Sequence, residues 1–282
     1  MYGIIGYPLS HSFSPPMQNS AFQERVINSV YLPIEVEPNN LKTVVTALPY
    51  MNFIGFNITI PYKIEIIKHL DKIDELAKCI GAVNTVVIKD GKMKGYNTDG
   101  KGYLRSLEEG LGESVEDKRI FVLGSGGAAR AICMTLAINK VSAIYICNRT
   151  HEKAIILSEA INKNVAKLSY TVPMEDREIE KIVKTCDILI NTTSIGTYPK
   201  DDEIPIDKSL LNKDLFVSDV IYNPGKTRLL QEAEKLGCKT LSGLGMLLYQ
   251  GTEAFELWTG VEAPTKVMHK ALNEALELKK RE

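Results

Sequence analysis

The sequence has no apolar run long enough to cross a bilayer; its most apolar stretch, AARAICMTLAI, is short and carries Arg130. The opening segment MYGIIGYPLSHSFSP lacks a basic start and meets proline early, so it is not read as a signal peptide. Cysteine is sparse. Cys79, Cys133, Cys147, Cys186 and Cys238 are odd in number and far apart, which argues against a disulfide framework and for buried free thiols in a reducing, cytoplasmic compartment. The histidines His11, His69, His151 and His269 have no ligand-like spacing and no cysteine pair supplies a zinc site, so no metal is expected. With a formal net charge of −1 the chain has no general field for gathering nucleic acid or anionic lipid. Internal repeats and low-complexity tracts are also missing.

What is present is ordinary for a globular protein: 44% hydrophobic and 24% charged residues over 282 positions. Strand-like and helix-like runs alternate, which predicts an α/β architecture with mostly parallel strands. The rhythm changes near residue 100. Before it lie YGIIG, YLPIEVE, GFNITI and a hairpin-like AVNTVVIKDGKMKGYN around Asp90-Gly91; after it come RIFVLG, AIYICN, DILINTT, LFVSDVIY and KTLSG, most of them separated by helical segments. The second series is the pattern of a doubly wound parallel sheet. In PTKVMHKALNEALELKK, Pro264 suits a first helical turn, while Val267, Ala271, Leu272, Ala275 and Leu276 form an apolar stripe. Lys279, Lys280 and Arg281 suit the C-terminal end of the dipole. That helix is expected to pack back on the first domain. The expected domains are therefore 1–102 with 247–282, and a Rossmann-like domain over 103–246.

RIFVLGSGGAARAICMTLA joins a strand to a helix through glycines, with Gly124, Gly126 and Ala129 fitting G-x-G-x-x-G/A. Missing side chains let the backbone of Gly124, Ser125, Gly126, Gly127, Ala128 and Ala129 approach a pyrophosphate at the helix N-terminus. The plainer alternative is a turn that permits tight strand–helix packing. The next strand ends in ICNRTHEK, with no acid to bind a ribose 2′-hydroxyl. Arg149 and Lys153, beside Asn148 and Thr150, offer positive groups for a 2′-phosphate, so NADP is the expected cofactor. A solvated basic turn capped by Thr150 is the other reading, disfavoured because cations destabilise a helix N-terminus.

Taken together, the motifs resemble the shikimate dehydrogenase family over nearly the whole chain. HSFSPPMQN is similar to its serine pair, GFNITIPYK to its catalytic-lysine segment, and GAVNTV and GYNTDGKG to its substrate-side Asn and Asp. VLGSGGAARA and NRTHEK resemble its NADP elements, and DVIYNPGKT and GLGMLLYQG its later landmarks. The resemblance implies NADPH-dependent reduction of 3-dehydroshikimate to shikimate, on the route to aromatic amino acids, in a cleft between the domains. Such a reaction needs a hydride partner and a group that handles the hydroxyl proton. Lys63, after a strand end and Pro61, and Asp99, in a strand-to-loop transition, are expected to form that dyad. The alternatives are an exposed lysine and a turn or cap aspartate.

Ser14-Pro15 reads as an N-cap and first-turn proline, so Ser12 and Ser14 present donors beside a helix N-terminus. The resemblance makes both ligands of the substrate carboxylate. By the same resemblance Thr59, Asn84 and Gln250 bond ring hydroxyls, and Tyr222 orients the acid. Phe56, Ile58 and Ile60 are expected on the oily face of their strand, with Asn57 and Thr59 on the polar one. Thr192, Thr193 and Ser194 end a strand at the edge where nucleotides lie in this fold, and Val220, Gly243 and Met246 are implied around the nicotinamide. The chain departs from the family where Gln18 replaces a frequent histidine and Thr197 a frequent methionine. Rival expectations are an NAD-using quinate/shikimate dehydrogenase and a non-catalytic NADP sensor; a monomer or homodimer is expected.

Overall fold

The computed structural model describes residues 1–9 and 12–279. The chain divides into two compact units, Met1–Gly102 with Leu248–Glu282, and Tyr103–Leu247. In chain order the first unit holds β1 (Tyr2–Gly6), α1 (Ser14–Glu24), β2 (Tyr31–Glu35), α2 (Leu41–Ala47), β3 (Gly55–Ile58), β4 (Lys72–Ile73), α3 (Glu75–Ile80), β5 (Thr85–Lys89), β6 (Lys92–Tyr96) and the start of α4 (Asp99–Leu111). Its sheet has the order β2-β1-β3-β5-β6-β4. Pairing is parallel between β1 and its two neighbours and between β4 and β6, and antiparallel from β3 to β5 and across the expected hairpin of β5 and β6, so this sheet is mixed.

Local chemistry explains the pieces. β1 lies between β2 and β3 and is buried throughout, which is why YGIIG is an unbroken apolar run. Asp90 and Gly91 both have positive φ, 52° and 71°, the geometry of a two-residue hairpin turn between β5 and β6. The core gathers Ile5, Phe53, Phe56, Ile58, Val83 and Val86. The strand at residues 55–58 is shorter than its alternation suggested. The chain turns after it, with Tyr62 N donating to Thr59 O at 3.0 Å, and Ile60 is lifted off the sheet to 73% exposure instead of continuing the oily face. The face expected to be polar is also covered: Asn57 is buried.

The second unit runs through the rest of α4, β7 (Arg119–Leu123), α5 (Gly127–Ile138), β8 (Ala143–Cys147), α6 (His151–Asn164), β9 (Ser169–Val172), α7 (Asp176–Val183), β10 (Ile188–Asn191), β11 (Phe216–Asp219), α8 (Arg228–Lys235), β12 (Lys239–Leu241) and the start of α9 (Leu244–Thr259). Its sheet, β12-β11-β10-β7-β8-β9, is parallel at every pairing. Read from β9, the order is 3-2-1-4-5-6, the doubly wound arrangement whose reversal lies between β7 and β10. β9 and β4 were not read from the sequence; β4 has two residues, and β9 is a four-residue edge strand whose Tyr170 is exposed.

From α9 the chain returns to the first unit. Trp258 of α9 donates Nε1–H to Val86 O at 2.9 Å. A Cβ at Gly55 would fall 2.2 Å from that indole nitrogen, so β3 admits only glycine there without a shift. The last helix, α10 (Thr265–Lys279), packs against α1. Leu272 of the expected stripe is buried, Val267, Ala271, Ala275 and Leu276 are half-buried, and Met268, outside that stripe, is buried as well. Lys280 and Arg281 lie outside the described residues. Among these residues no helix is long and apolar enough to cross a membrane. The five cysteines are free, with Cys133, Cys147 and Cys238 buried.

Candidate active site

Lys63 is delivered by the turn that ends β3. Tyr62 is buried and donates its hydroxyl to Val36 O, and Val83 N donates to Lys63 O at 2.8 Å, so the backbone on either side of the lysine is pinned. Asp99 is not in a strand-to-loop transition; it opens α4, where the helix dipole favours a carboxylate. Asn97 Oδ1 accepts from Asp99 N at 3.1 Å and holds the helix start. The two side chains meet: Lys63 Nζ lies 2.6 Å from Asp99 Oδ2, with 30% and 11% of their side chains exposed. An ammonium and a carboxylate in contact at the edge of solvent can hold a proton and pass it to a bound oxygen.

Behind the pair lies a buried polar network. Asn84 donates through Nδ2 to Asp99 Oδ1 and Thr98 Oγ1, both at 2.9 Å. Asn57 donates to Thr85 Oγ1 at 2.9 Å and to Asn84 O at 3.1 Å, and accepts the Tyr31 hydroxyl at 2.6 Å. Burial pushes the Tyr31 phenol well above its ordinary range, partly opposed by its bond with Ser14. Tyr31, Asn57, Thr85 and Thr98 were not singled out as site residues. The available signal was Asn57 and Thr85, polar residues set into buried strands where an unpaired polar group is costly; Tyr31 opens the largely exposed β2 and Thr98 lies in the connection before α4.

The helix that carries the serine pair begins one residue earlier than expected. Phe13 is the cap residue of α1 and Ser14 is already its first helical residue, one position inside the predicted boundary. Ser12 Oγ accepts from Ser14 N at 3.3 Å, so Ser12, not Ser14, meets an orphan amide of the first turn. Thr59 is half-buried just beyond β3. Gln250 is half-buried on α9, whose backbone approaches α4 so closely that a Cβ on Gly102 would stand 2.4 Å from Gln250 N. Gln18 donates to Gly251 O at 2.8 Å, tying α1 to the same stretch of α9. Within this unit Ser14, Asp99 and Gln250 are thus carried by helices locked to one another.

In the second unit Gly124 follows β7 with φ +107°, and a Cβ there would lie 2.5 Å from Thr192 Oγ1. Only glycine suits that position. A Cβ built on Gly126 or Gly127 meets no described atom within 4 Å, and no side chain caps α5. Ser125, Ala128 and Ala129 share this loop and first turn, whose leading amide hydrogens have no intrahelical acceptor. Open backbone with unpaired amides fits a pyrophosphate. Arg149 and Lys153 are exposed after the next strand, β8, at the entry to α6. Thr150 occupies the cap position, but its side chain makes no capping bond; Asn148 Nδ2 donates to Thr150 O at 2.7 Å instead.

At the C-terminal ends of β10 and β11, Thr192 donates through Oγ1 to Leu123 O at 2.6 Å, and Thr193 bonds Asn191 Oδ1 through both N and Oγ1. Ser194 follows, exposed. Gly243 packs on Val220: a Cβ would stand 2.0 Å from Val220 O. Met246 is half-buried on α9, and burial raises the Tyr222 phenol. No group of three or more His, Cys, Asp or Glu among the described residues is placed to hold a metal ion.

Family models match along the chain: the shikimate dehydrogenase substrate binding domain over residues 4–86, shikimate/quinate 5-dehydrogenase over 106–203, and the shikimate 5′-dehydrogenase C-terminal domain over 243–272. A shikimate dehydrogenase (NADP(+)) of Methanococcus maripaludis is 48% identical over 281 residues, 99% of this chain and 98% of that protein. Among solved structures, a shikimate dehydrogenase in complex with NADP+ is 46% identical with TM-score 0.91, covering 97% of this chain and 94% of that one. The Listeria monocytogenes shikimate 5-dehydrogenase in complex with shikimate and NAD is 40% identical with TM-score 0.92, covering 96% and 95%. With glycine loop, lysine–aspartate pair and both sheets in one continuous match, this chain belongs to the shikimate dehydrogenase family.

Proposed function

We propose that this chain catalyses the reversible reduction of 3-dehydroshikimate to shikimate with NADPH, a step in aromatic amino acid biosynthesis. The contact between Lys63 and Asp99 carries the reading. When bound, NADPH supplies the hydride. The lysine–aspartate pair holds the proton that the substrate oxygen gains on reduction and loses on oxidation, and the Asn84 bond keeps the Asp99 carboxylate in register with the ammonium. Ser12 and Ser14 donate to the substrate carboxylate, Thr59, Asn84 and Gln250 bond its hydroxyls, and Tyr222 orients the acid.

The glycine loop from Gly124 to Ala129 would hold the pyrophosphate, and Asn148, Arg149, Thr150 and Lys153 the 2′-phosphate. Thr192, Thr193, Ser194, Val220, Gly243 and Met246 would line the rest of the nucleotide. In this reading the first unit serves substrate and the second serves NADP. The protein acts in the cytoplasm, in keeping with its free cysteines, as a monomer or homodimer.

The test is shikimate-dependent NADP+ reduction by wild type and Lys63→Ala. Cofactor binding is expected to persist while turnover falls by about a hundredfold or more. Undiminished turnover would remove Lys63 from proton handling, and absence of wild-type activity would sink the assignment.

A further inference from the structure

Asp219 is a buried acid that this chemistry leaves unused. It ends β11, is screened from solvent, and is held by neutral donors: Asn191 Nδ2 to Oδ1 at 3.1 Å, Ile221 N to Oδ1 at 3.0 Å, and Thr227 Oγ1 to Oδ2 at 2.8 Å. Burial pushes its pKa up while these bonds pull it down. Keeping a carboxylate here is costly, so its consequences for its neighbours matter.

A carboxylate only accepts, so the Asn191 amide must turn its nitrogen toward Asp219. Its oxygen is then committed to Thr193, accepting from N at 3.0 Å and from Oγ1 at 2.7 Å. Thr193 Oγ1 in turn accepts from Ile195 N at 3.2 Å. The adjoining Thr192 donates N to Leu123 O at 2.8 Å, at the residue before the glycine loop. On its other side Asp219 fixes the turn after β11, where Val220 N donates to Asn191 O and Gly243 N to Ile221 O, both at 3.0 Å. Thr227 carries the same carboxylate's hold to the cap of α8, through Leu230 N at 3.4 Å.

We propose that Asp219 is a positioning residue for the nucleotide site, setting the Asn191 amide and thereby the placement of the 192–194 turn and of the turn that carries Val220. The inference rests on the reading of those turns as NADP-binding. Without an acceptor at position 219, the Asn191 side chain could turn away and leave the Thr193 amide without its acceptor. Asp219 removes that choice.

NADPH binding, followed by the change in its fluorescence, and steady-state KM values test this with wild type, Asp219→Ala and Asp219→Asn. Asp219→Ala is expected to weaken NADPH binding and raise the KM for NADP+ by about tenfold or more, leaving the KM for shikimate within about twofold. Asp219→Asn keeps the size and one acceptor and should recover most of the loss. Should Asp219→Ala fail to fold, judged by near-UV circular dichroism, Asn191→Ala interrupts the same relay and is expected to give the same cofactor-selective defect. Binding by either folded variant as tight as wild type, or an equal rise in both KM values, overturns the proposal. Wild type that binds no NADPH defeats the nucleotide-site reading itself, and this proposal with it.

Discussion

Asn84 Nδ2 stands 2.9 Å from Asp99 Oδ1, and the other end of the amide enforces this orientation. Asn84 Oδ1 accepts from Thr98 N at 2.7 Å and Thr85 Oγ1 at 3.1 Å, so reversal would set the amide nitrogen against a backbone donor. Asp99 therefore has one oxygen held by a neutral donor and the other by the Lys63 ammonium. Asn84→Asp replaces that donor with an acceptor facing a second carboxylate. Like charges in contact raise one pKa, so the pair should share a proton. Turnover at neutral pH is expected to fall by about tenfold or more and to recover partly as the pH is lowered and an O–H donor is restored. A pH–rate profile parallel to wild type would show that the amide does not orient Asp99.

Cofactor choice gives the second prediction. Arg149 and Lys153 stand exposed at the entry to α6, and the end of β8, at Cys147-Asn148, carries no acid for a ribose 2′-hydroxyl. Replacing both by alanine is expected to raise the KM for NADP+ by about tenfold or more, as charge-assisted bonds to phosphate are lost, while the KM for NAD+ stays within about twofold. The measurement is initial rate against each nucleotide at saturating shikimate. Equal losses with both nucleotides would assign these residues to the fold.

These cases show what was legible in the sequence. The second sheet followed from strand–helix rhythm because its strands are buried on both faces and read as apolar runs, as in RIFVL and ILIN. Lys63 and Asp99 could be named by motif, yet their 2.6 Å contact depends on β3, β5 and the α4 start, elements paired through tertiary structure. The Asn84 amide lock and the role of Tyr31 were not legible, since a polar residue in a strand gives no sign of its partner across the sheet. Ile60 was misread because alternation persists in letters after the backbone has turned. Ser14 was misplaced by one residue, because proline permits either of the first two helical positions.

The third prediction concerns the joint between α9 and the first sheet. Trp258 Nε1 donates to Val86 O at 2.9 Å and the indole lies beside Tyr2, ring centroids 5.1 Å apart. Trp258→Phe removes the donor but keeps most of the ring, and is expected to cost about 1 kcal/mol. Trp258→Ala also opens a cavity and should cost about 3–5 kcal/mol. Gly55→Ala must displace the indole, because the added methyl would lie 2.2 Å from Nε1. Urea unfolding measures all three. Equal stability of Trp258→Ala and wild type would mean that the return of α9 contributes no net packing.

Acid should unfold the protein chiefly through surface carboxylates whose partners favour ionisation. Asp71 is held below its usual range first by the Met93 amide and then by Lys92, Glu113 by Lys118, Glu180 by Lys184, and Glu234 by Lys226. Each folded pKa lies below its unfolded value. Their stabilisation is therefore present above the unfolded carboxylate range, about pH 4, and is lost as pH falls through the folded values. Asp219 works the other way: its raised pKa means the folded state takes up its proton more readily, so acidification relieves a penalty there. The urea midpoint is expected to decline between about pH 5 and pH 3. Asp71→Asn should make that decline shallower, and Asp219→Asn, which removes the opposing relief, should make it steeper. A midpoint unchanged across this range, or an Asp71→Asn slope matching wild type, would show that these pairs do not govern acid stability.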